Sequence, residues 1–434
     1  MADLDNSPLS VAATDQFPNF RRHHQHFSAV GEIHSRPFPE FETNRVIYHY
    51  AFMSEAGATV ANAVLAELCR MRGEAIPTPE MRYHIIPWNG GNLRWESHSE
   101  FTTFTFDAKA PKQFLGAVRN HPFGEGFTPP GSLISASRIE VRPLTPANRK
   151  LFQHFDQESL TITCLEDGKS LLATDFRQDT NGMTVFLILE ANLGASRIGS
   201  YSKTVIEIDT YRTLTMLGLP LARSLSQRLS QMEVELSRLT SEMRTASAGK
   251  SEELLSKINL IASELESDAA ASLFRFGASK AYGSIVTDRL ETLGDKALSG
   301  FITISSYLNR SIPPALRTCA SVEQRQANLS RKLARIANLL RTKVEIEIES
   351  QNRNLLASMN KRTELQLRLQ QTVEGLSVAA VSYYIVGLFY YLMQALEKWL
   401  PTPITPKVAA GVFVPVAIFS VWILVRRIHN RTKE

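Results

Sequence analysis

Cysteine is scarce in this sequence: Cys69, Cys164 and Cys319 are the only three in 434 residues, far apart and in no CxxC spacing. That number and spacing argue for neither a disulfide framework nor a zinc site, and they suit a reducing compartment. No sign of charge predominates. The formal net charge of +5 is dispersed, too weak for a nucleic-acid-binding surface but suited to work beside anionic lipid. The first 27 residues open on acidic and polar side chains and carry no apolar core of the kind a secretory signal needs, so export falls to segments near the C-terminus. Phosphate-cradling glycine loops, nucleophile elbows and zincin helices are all missing. At 44% apolar and 21% charged residues the composition is that of an ordinary globular protein, which confines any membrane portion to a small part of the chain.

Residues 1–27 read as a flexible N-terminal arm. Its basic run Arg21, Arg22, His23, His24 and His26 is better explained as solvated side chains than as a metal site, since no fourth ligand or rigid element accompanies the histidines. Residues 28–215 read as an α+β cytoplasmic domain with a mixed or antiparallel sheet. Strands are expected at 81–86, 92–96, 100–106, 133–141, 160–165, 171–176 and 183–190, which are rich in β-branched and aromatic residues and bounded by Gly, Pro, Asn or Asp. Several are separated by only a few turn residues and must therefore pair antiparallel. Helices are expected at 56–72, where Val60, Val64, Leu65, Leu68 and Met71 share a face, and, on weaker patterns, at 111–120 and 196–214.

After Pro220 the period changes to alternating fours and threes. Leu225, Leu229, Met232, Leu236, Leu239 and Met243 form one stripe, and Leu254, Ile258, Ile261 and Leu265 continue it beyond a Gly-containing break. A helical hairpin and helical bundle over 216–318 accounts for this, with Pro313 and Pro314 ending its last helices. A long stalk helix follows at 319–374. No proline interrupts Val322 to Leu396, and a helix of that length extends roughly 110 Å, too long to hide its apolar stripe alone, so self-association is expected.

A transmembrane hairpin is expected over 375–425. Residues 376–396 contain no formal charge and 408–425 form a second apolar stretch with Pro415 inside it, each about long enough for a ~30 Å hydrocarbon core. Lys361, Arg362 and Arg368 precede the first span, and the basic tail 426–434 follows the second. The connecting loop has only Lys398 and Lys407 against Glu397. This asymmetry predicts a multi-pass protein of the cell's inner membrane with both termini cytoplasmic.

Two stretches of the α+β domain are dense in polar chemistry: Glu32, His34 and Arg36 in one, and Glu96, His98 and Glu100 in the other. Strand alternation places Arg94, Glu96, His98 and Glu100 on one face, with Trp95, Ser97, Ser99 and Phe101 opposite. A histidine beside carboxylates suits acid–base work or a ligand, while a surface ladder of alternating charge accounts for the same residues. The two stretches are expected to meet on one wall of the domain, Arg36 pairing with Glu96 or Glu100 and the contact being structural.

The runs GEIHSRPF, RWESHSEFTTFTF, IPPALRTC and LLRTKVEIEIESQNRNLLASMNKRTELQLRLQQTVEGLSVAAVSYYIVGL, together with the closing hairpin, resemble the bacterial membrane family known as domain of unknown function 3422. The resemblance covers residues 28 to 425 and brings no activity with it. The family pattern has Ala where Ser35 stands, which leaves His34 and Arg36 in place. In plan alone the chain is also similar to CorA-type magnesium channels, but their Gly-Met-Asn signature is missing: the corresponding region reads Leu392, Met393, Gln394, Ala395, Leu396.

Three functions are compatible with this reading. The first is a membrane-anchored sensory or scaffold protein, homo-oligomeric, partnered by the lipid bilayer and by another protein. The second is a CorA-like ion channel or transporter, against which stands the lack of charge within either span. The third, a membrane-tethered enzyme using the His/Arg/Glu cluster, ranks well behind. No cofactor, metal ion or nucleic acid is expected.

Overall fold

The computed structural model describes residues 23–24, 39–54, 57–78, 81–124, 126–244, 248–397 and 405–431. The chain forms two compact units. The first comprises Met1–Arg238 with Leu260–Ala334, and the second comprises Leu239–Asn259 with Arg335–Glu434.

A nine-stranded mixed sheet organises the first unit. In chain order its elements are β1 (Arg45–Met53), α1 (Ala58–Arg72), β2 (Tyr83–Trp88), β3 (Gly91–Ser97), β4 (Phe101–Lys109), β5 (Leu133–Pro143), the single-turn α2 (Pro146–Arg149), β6 (Thr161–Leu165), β7 (Ser170–Thr174), β8 (Thr184–Glu190), α3 (Ala195–Met216), most of α4 (Gly218–Met243), α5 (Ala248–Leu293) from Leu260 onward, β9 (Lys296–Ala297), α6 (Ile304–Asn309) and the start of α7 (Ile312–Glu397). The strand order is β2-β3-β4-β1-β5-β8-β7-β6-β9. Among the described residues neighbours run antiparallel except β5 and β8, whose parallel pairing requires the long crossover that β6 and β7 fill.

Strand β1 lies between β4 and β5 and is buried on both faces. Side chains alternate across a strand, so its two faces join two cores. Val46, Tyr48 and Phe52 pack in the cluster of Leu65, Leu68 and Cys69 from α1. Ile47 faces the other way, into a cluster of Ile198, Val205 and Ile208 from α3, Val286 and Leu290 from α5, and Leu308 from α6. The seven expected strands are all present within a few residues of their expected bounds. β1 and β9 come in addition.

The weak helix expected at 111–120 is not formed. Leu115 has φ 61°, and the segment's backbone groups serve three buried charges of β5 instead. Arg138, Glu140 and Arg142 alternate onto one face of that strand. Glu140, fully buried, accepts from Arg138 Nη2 and Arg142 Nη2, each at 2.6 Å, and from the Leu115 backbone N–H at 2.9 Å. The Leu115 and Gly116 carbonyls accept from Arg138 at 3.2 and 2.8 Å, and the Pro111 and Lys112 carbonyls accept from Arg142 at 2.9 and 3.5 Å. Charge satisfied in this way is stable only as a set, since removing one member strands the others in low dielectric.

Helix α7 continues into the second unit and α8 (Pro406–Arg431) ends it. There Leu239, Leu254, Ile258 and Leu340 are buried, and Lys343 Nζ donates to the Met243 carbonyl at 3.3 Å. Helices α7 and α8 each contain a stretch long and apolar enough to cross a membrane, and only 6% and 17% of those stretches is buried, so neither is packed as the core helix of a soluble protein. Phe389 of α7 stacks on Phe413 of α8 with ring centroids 4.1 Å apart. Ala410, Ala417 and Val421, spaced along one face of α8, are buried; small side chains permit such close helix approach.

Glu140→Gln should lower the thermal unfolding midpoint of the full chain by an amount corresponding to about 3–5 kcal/mol, because it leaves two buried guanidinium groups without their carboxylate. Glu349→Gln, which breaks an exposed i, i+4 pair with Arg353, should leave that midpoint unchanged in the same calorimetric scan.

Candidate functional site

The cleft that gathers most of the polar chemistry lies between one sheet face and α3, wholly within the first unit. Its free space amounts to about 720 Å³ when the open solvent at its mouth is included, and only about 80 Å³ is comparable to an enclosed cavity volume. His49 comes from β1, Arg94 and Glu96 from β3, Thr103 and Thr105 from β4, and Lys203, Glu207, Thr210 and Tyr211 from α3, with Phe41, Phe101 and Ile206 as apolar wall. Register explains the convergence. Arg94 pairs with Thr105 and Glu96 with Thr103 across β3 and β4, while His49 faces Thr105 across β4 and β1, so all point to the same side. One glycine makes the wall possible: a Cβ on Gly199 would lie 1.7 Å from the Pro39 carbonyl oxygen, so only glycine lets residues 39–41 cross the first turns of α3. The Phe41 N–H then donates to the Ala195 carbonyl at 3.1 Å.

The sequence-derived residues are distributed unevenly. Glu96 and His98 line the cleft, with 4.0 Å between His98 Nε2 and the Glu96 carboxylate. Glu100 does not join them. RWESHSEF is no continuous strand: the chain reverses at Ser99 and Glu100, the His98 N–H bonding the Phe101 carbonyl at 2.9 Å, and side-chain alternation restarts after the turn. Phe101 therefore comes to the cleft side and stacks on His98, centroids 4.2 Å apart, while Trp95 is buried on the opposite face. Glu100 pairs with Arg275 of α5 and accepts from the Tyr282 hydroxyl at 2.7 Å. Burial, and then this carboxylate, hold the Tyr282 hydroxyl protonated well above the ordinary tyrosine range. Glu32, His34 and Arg36, and with them the expected Arg36 contact, lie outside the described residues. Of the basic run only His23 and His24 are described.

Sequence reasoning missed His49, Lys203, Glu207 and Thr210. His49 is 3% exposed, its Nδ1 bonded to Thr105 Oγ1 at 2.8 Å and its Nε2 to Thr210 Oγ1 at 3.1 Å. Burial, only partly opposed by the Asp209 carboxylate, lowers its pKa to about 4. Asp209 is itself fully enclosed, accepting from Ser135 and Ser137 at 2.8 and 2.5 Å and pairing with Arg212 at 2.6 Å. Arg94 is tied to Asp107 at 2.7 Å, and Asp107 also meets Arg45 at 2.8 Å. Glu207 pairs with Arg289. Among the described residues no three His, Cys, Asp or Glu side chains are grouped to hold a metal ion. The arrangement presents cations, carboxylates and hydroxyls beside an aromatic wall, suited to holding a polar group.

A histidine held neutral below its unfolded pKa of about 6.5 stabilises the fold fully above that pH, and the contribution is lost as pH falls towards about 4, because the unfolded chain takes up the proton first. Between those limits the linkage amounts to roughly 3 kcal/mol at ~1.4 kcal/mol per pH unit. His49→Gln should flatten that part of the stability-against-pH curve in chemical unfolding; an unchanged slope would remove His49 as its source.

A family profile described as "Protein of unknown function (DUF3422)" matches residues 21–432, which include every strand of the sheet, the cleft and both apolar helices. No curated protein matches the chain. Nothing in these comparisons supports the likeness to CorA-type magnesium channels, which rests on plan alone. With sheet, cleft and apolar helices all inside the matched range, the chain belongs to the DUF3422 family.

Proposed function

We propose that this chain is a membrane-anchored sensory or scaffold protein. Its two apolar helices cross the cell's inner membrane as a hairpin, and its sheet-bearing unit works in the cytoplasm through the cleft beside α3. The observation that carries the anchor is the exposure of the apolar stretches of α7 and α8: Leu376, Leu388 and Val412 are each at least 70% exposed. A run of such side chains is unstable in water and stable in hydrocarbon. The distribution of charge supports the orientation, since Lys361, Arg362 and Arg368 precede the first stretch and Arg426, Arg427, Arg431 and Lys433 follow the second.

The cleft supports binding over catalysis. Its charged groups are engaged by neighbours, Arg94 by Asp107 and Glu207 by Arg289, and His49 is held neutral between two threonines. Groups fixed in this way recognise a partner's polar groups more readily than they exchange protons with a substrate.

Alkaline phosphatase fused after Thr402 should be active and fused after Glu434 inactive; the reverse pattern would sink the cytoplasmic assignment. Unlike the buried His49, the partly exposed pair of His98 and Glu96 at 4.0 Å contributes little to stability. His98→Ala should therefore leave the thermal midpoint of the full chain unchanged or slightly raised, and a marked drop would make the cluster a structural element.

A further inference from the structure

From Ile348 to Val373 every residue of α7 is exposed, whereas Leu329, Leu333 and Leu340 of the same helix are buried. The exposed stretch, roughly 38 Å at 1.5 Å per residue, nevertheless carries an ordered seam. Ile348, Leu355, Leu369 and Leu376 fall on one heptad position, d. Asn352, Met359, Gln366 and Val373 fall on the other, a. Leu356 and Leu365 flank the seam at e and g, while the far side of the helix carries Arg353, Asn354, Asn360, Lys361, Glu364 and Gln371. Leu369 and Val373 also border a groove beside Val425 of α8, yet each stays more than half exposed.

We infer that this seam is an interface with a second copy of the chain, paired parallel and in register over residues 348–373. The polar positions select the occupant. Asn352 and Gln366 lie in the apolar seam, where an amide is tolerated only against a hydrogen-bonding partner at the same height. A second copy in register sets Asn352 against its own counterpart and Gln366 against its own. An antiparallel copy sets each against an unlike residue, and a lipid surface offers no amide at all. A polar residue at one a position is the feature that fixes register at a cost in stability, and Arg362, at d, adds to that cost. The parallel sense also follows from the membrane anchor proposed above, on which this clause alone rests, because two copies inserted in one membrane point the same way.

The test is oxidative cross-linking of the full chain in its membranes. Met359→Cys places a thiol at a, facing its own counterpart across the seam, and Ala357→Cys places one at f, on the far side; both positions are exposed, so neither substitution threatens folding. The wild type, with Cys69 and Cys319 buried and Cys164 half-buried, sets the background. The expected result is a band at twice the monomer mass for Met359→Cys and loss of that band to background for Ala357→Cys. Equal cross-linking of the two variants, cross-linking of neither, an adduct of some other mass, or a monomeric mass for purified protein in detergent would each overturn the proposal. The phosphatase fusions test the anchor independently, so a failed seam and a failed anchor are told apart.

Discussion

A sheet covered on both faces leaves the polar side chains of its central strands nowhere to meet water, and the first unit is built around that constraint. β1, β5 and β8 are buried on both sides, yet β5 alone carries Ser135, Ser137, Arg138, Glu140 and Arg142. Each group must find its partner inside the protein. Asp209 reaches from α3 to the two serines, Glu140 takes both arginines of its own strand, and Asp107 is shared by Arg45 and Arg94. These contacts tie elements far apart in the chain, so the helices over the sheet are located by polar pairing as well as by apolar area. The cleft is the margin of this system. There the sheet face passes from apolar residues to His49, Arg94 and Glu96, and α3 answers with Lys203, Glu207 and Thr210.

Much of the sheet was legible because seven strands are short, rich in β-branched and aromatic residues, and punctuated by turn residues. β1 escaped notice because RVIYHYAFM has no polar face to alternate with; two-sided burial removes the period by which a strand is read. The two residues of β9 were too few to carry any pattern. The segment 111–120 misled because its composition permits a helix, while its carbonyls are claimed by arginines more than twenty residues away. Half of the candidate cluster was legible for a related reason. Glu96 and His98 stand together locally, but Glu100 is separated from them by a turn that strand alternation does not anticipate, and its partners Arg275 and Tyr282 lie about 180 residues further on. The contributions of α3 to the cleft carry no local signal, because Lys203, Glu207 and Thr210 look like the ordinary polar positions of an amphipathic helix.

The apolar cluster beneath α3 has a temporal consequence. It joins Phe41 and Ile47 to Val286, Leu290, Ile304 and Ile312, so its two halves are made at opposite ends of the first unit's synthesis. While the ribosome is translating α4 and most of α5, the strands already emerged present Ile139, Val141, Phe186 and Ile188 on a face with only α3 to cover it. β6 likewise stays an open edge until Lys296 and Ala297 emerge to pair with it. Contacts of such long sequence separation form late and slowly. The interval before residue 312 is therefore the period in which the nascent chain most needs shielding from other chains, and it closes before the apolar stretches of α7 and α8 have been made.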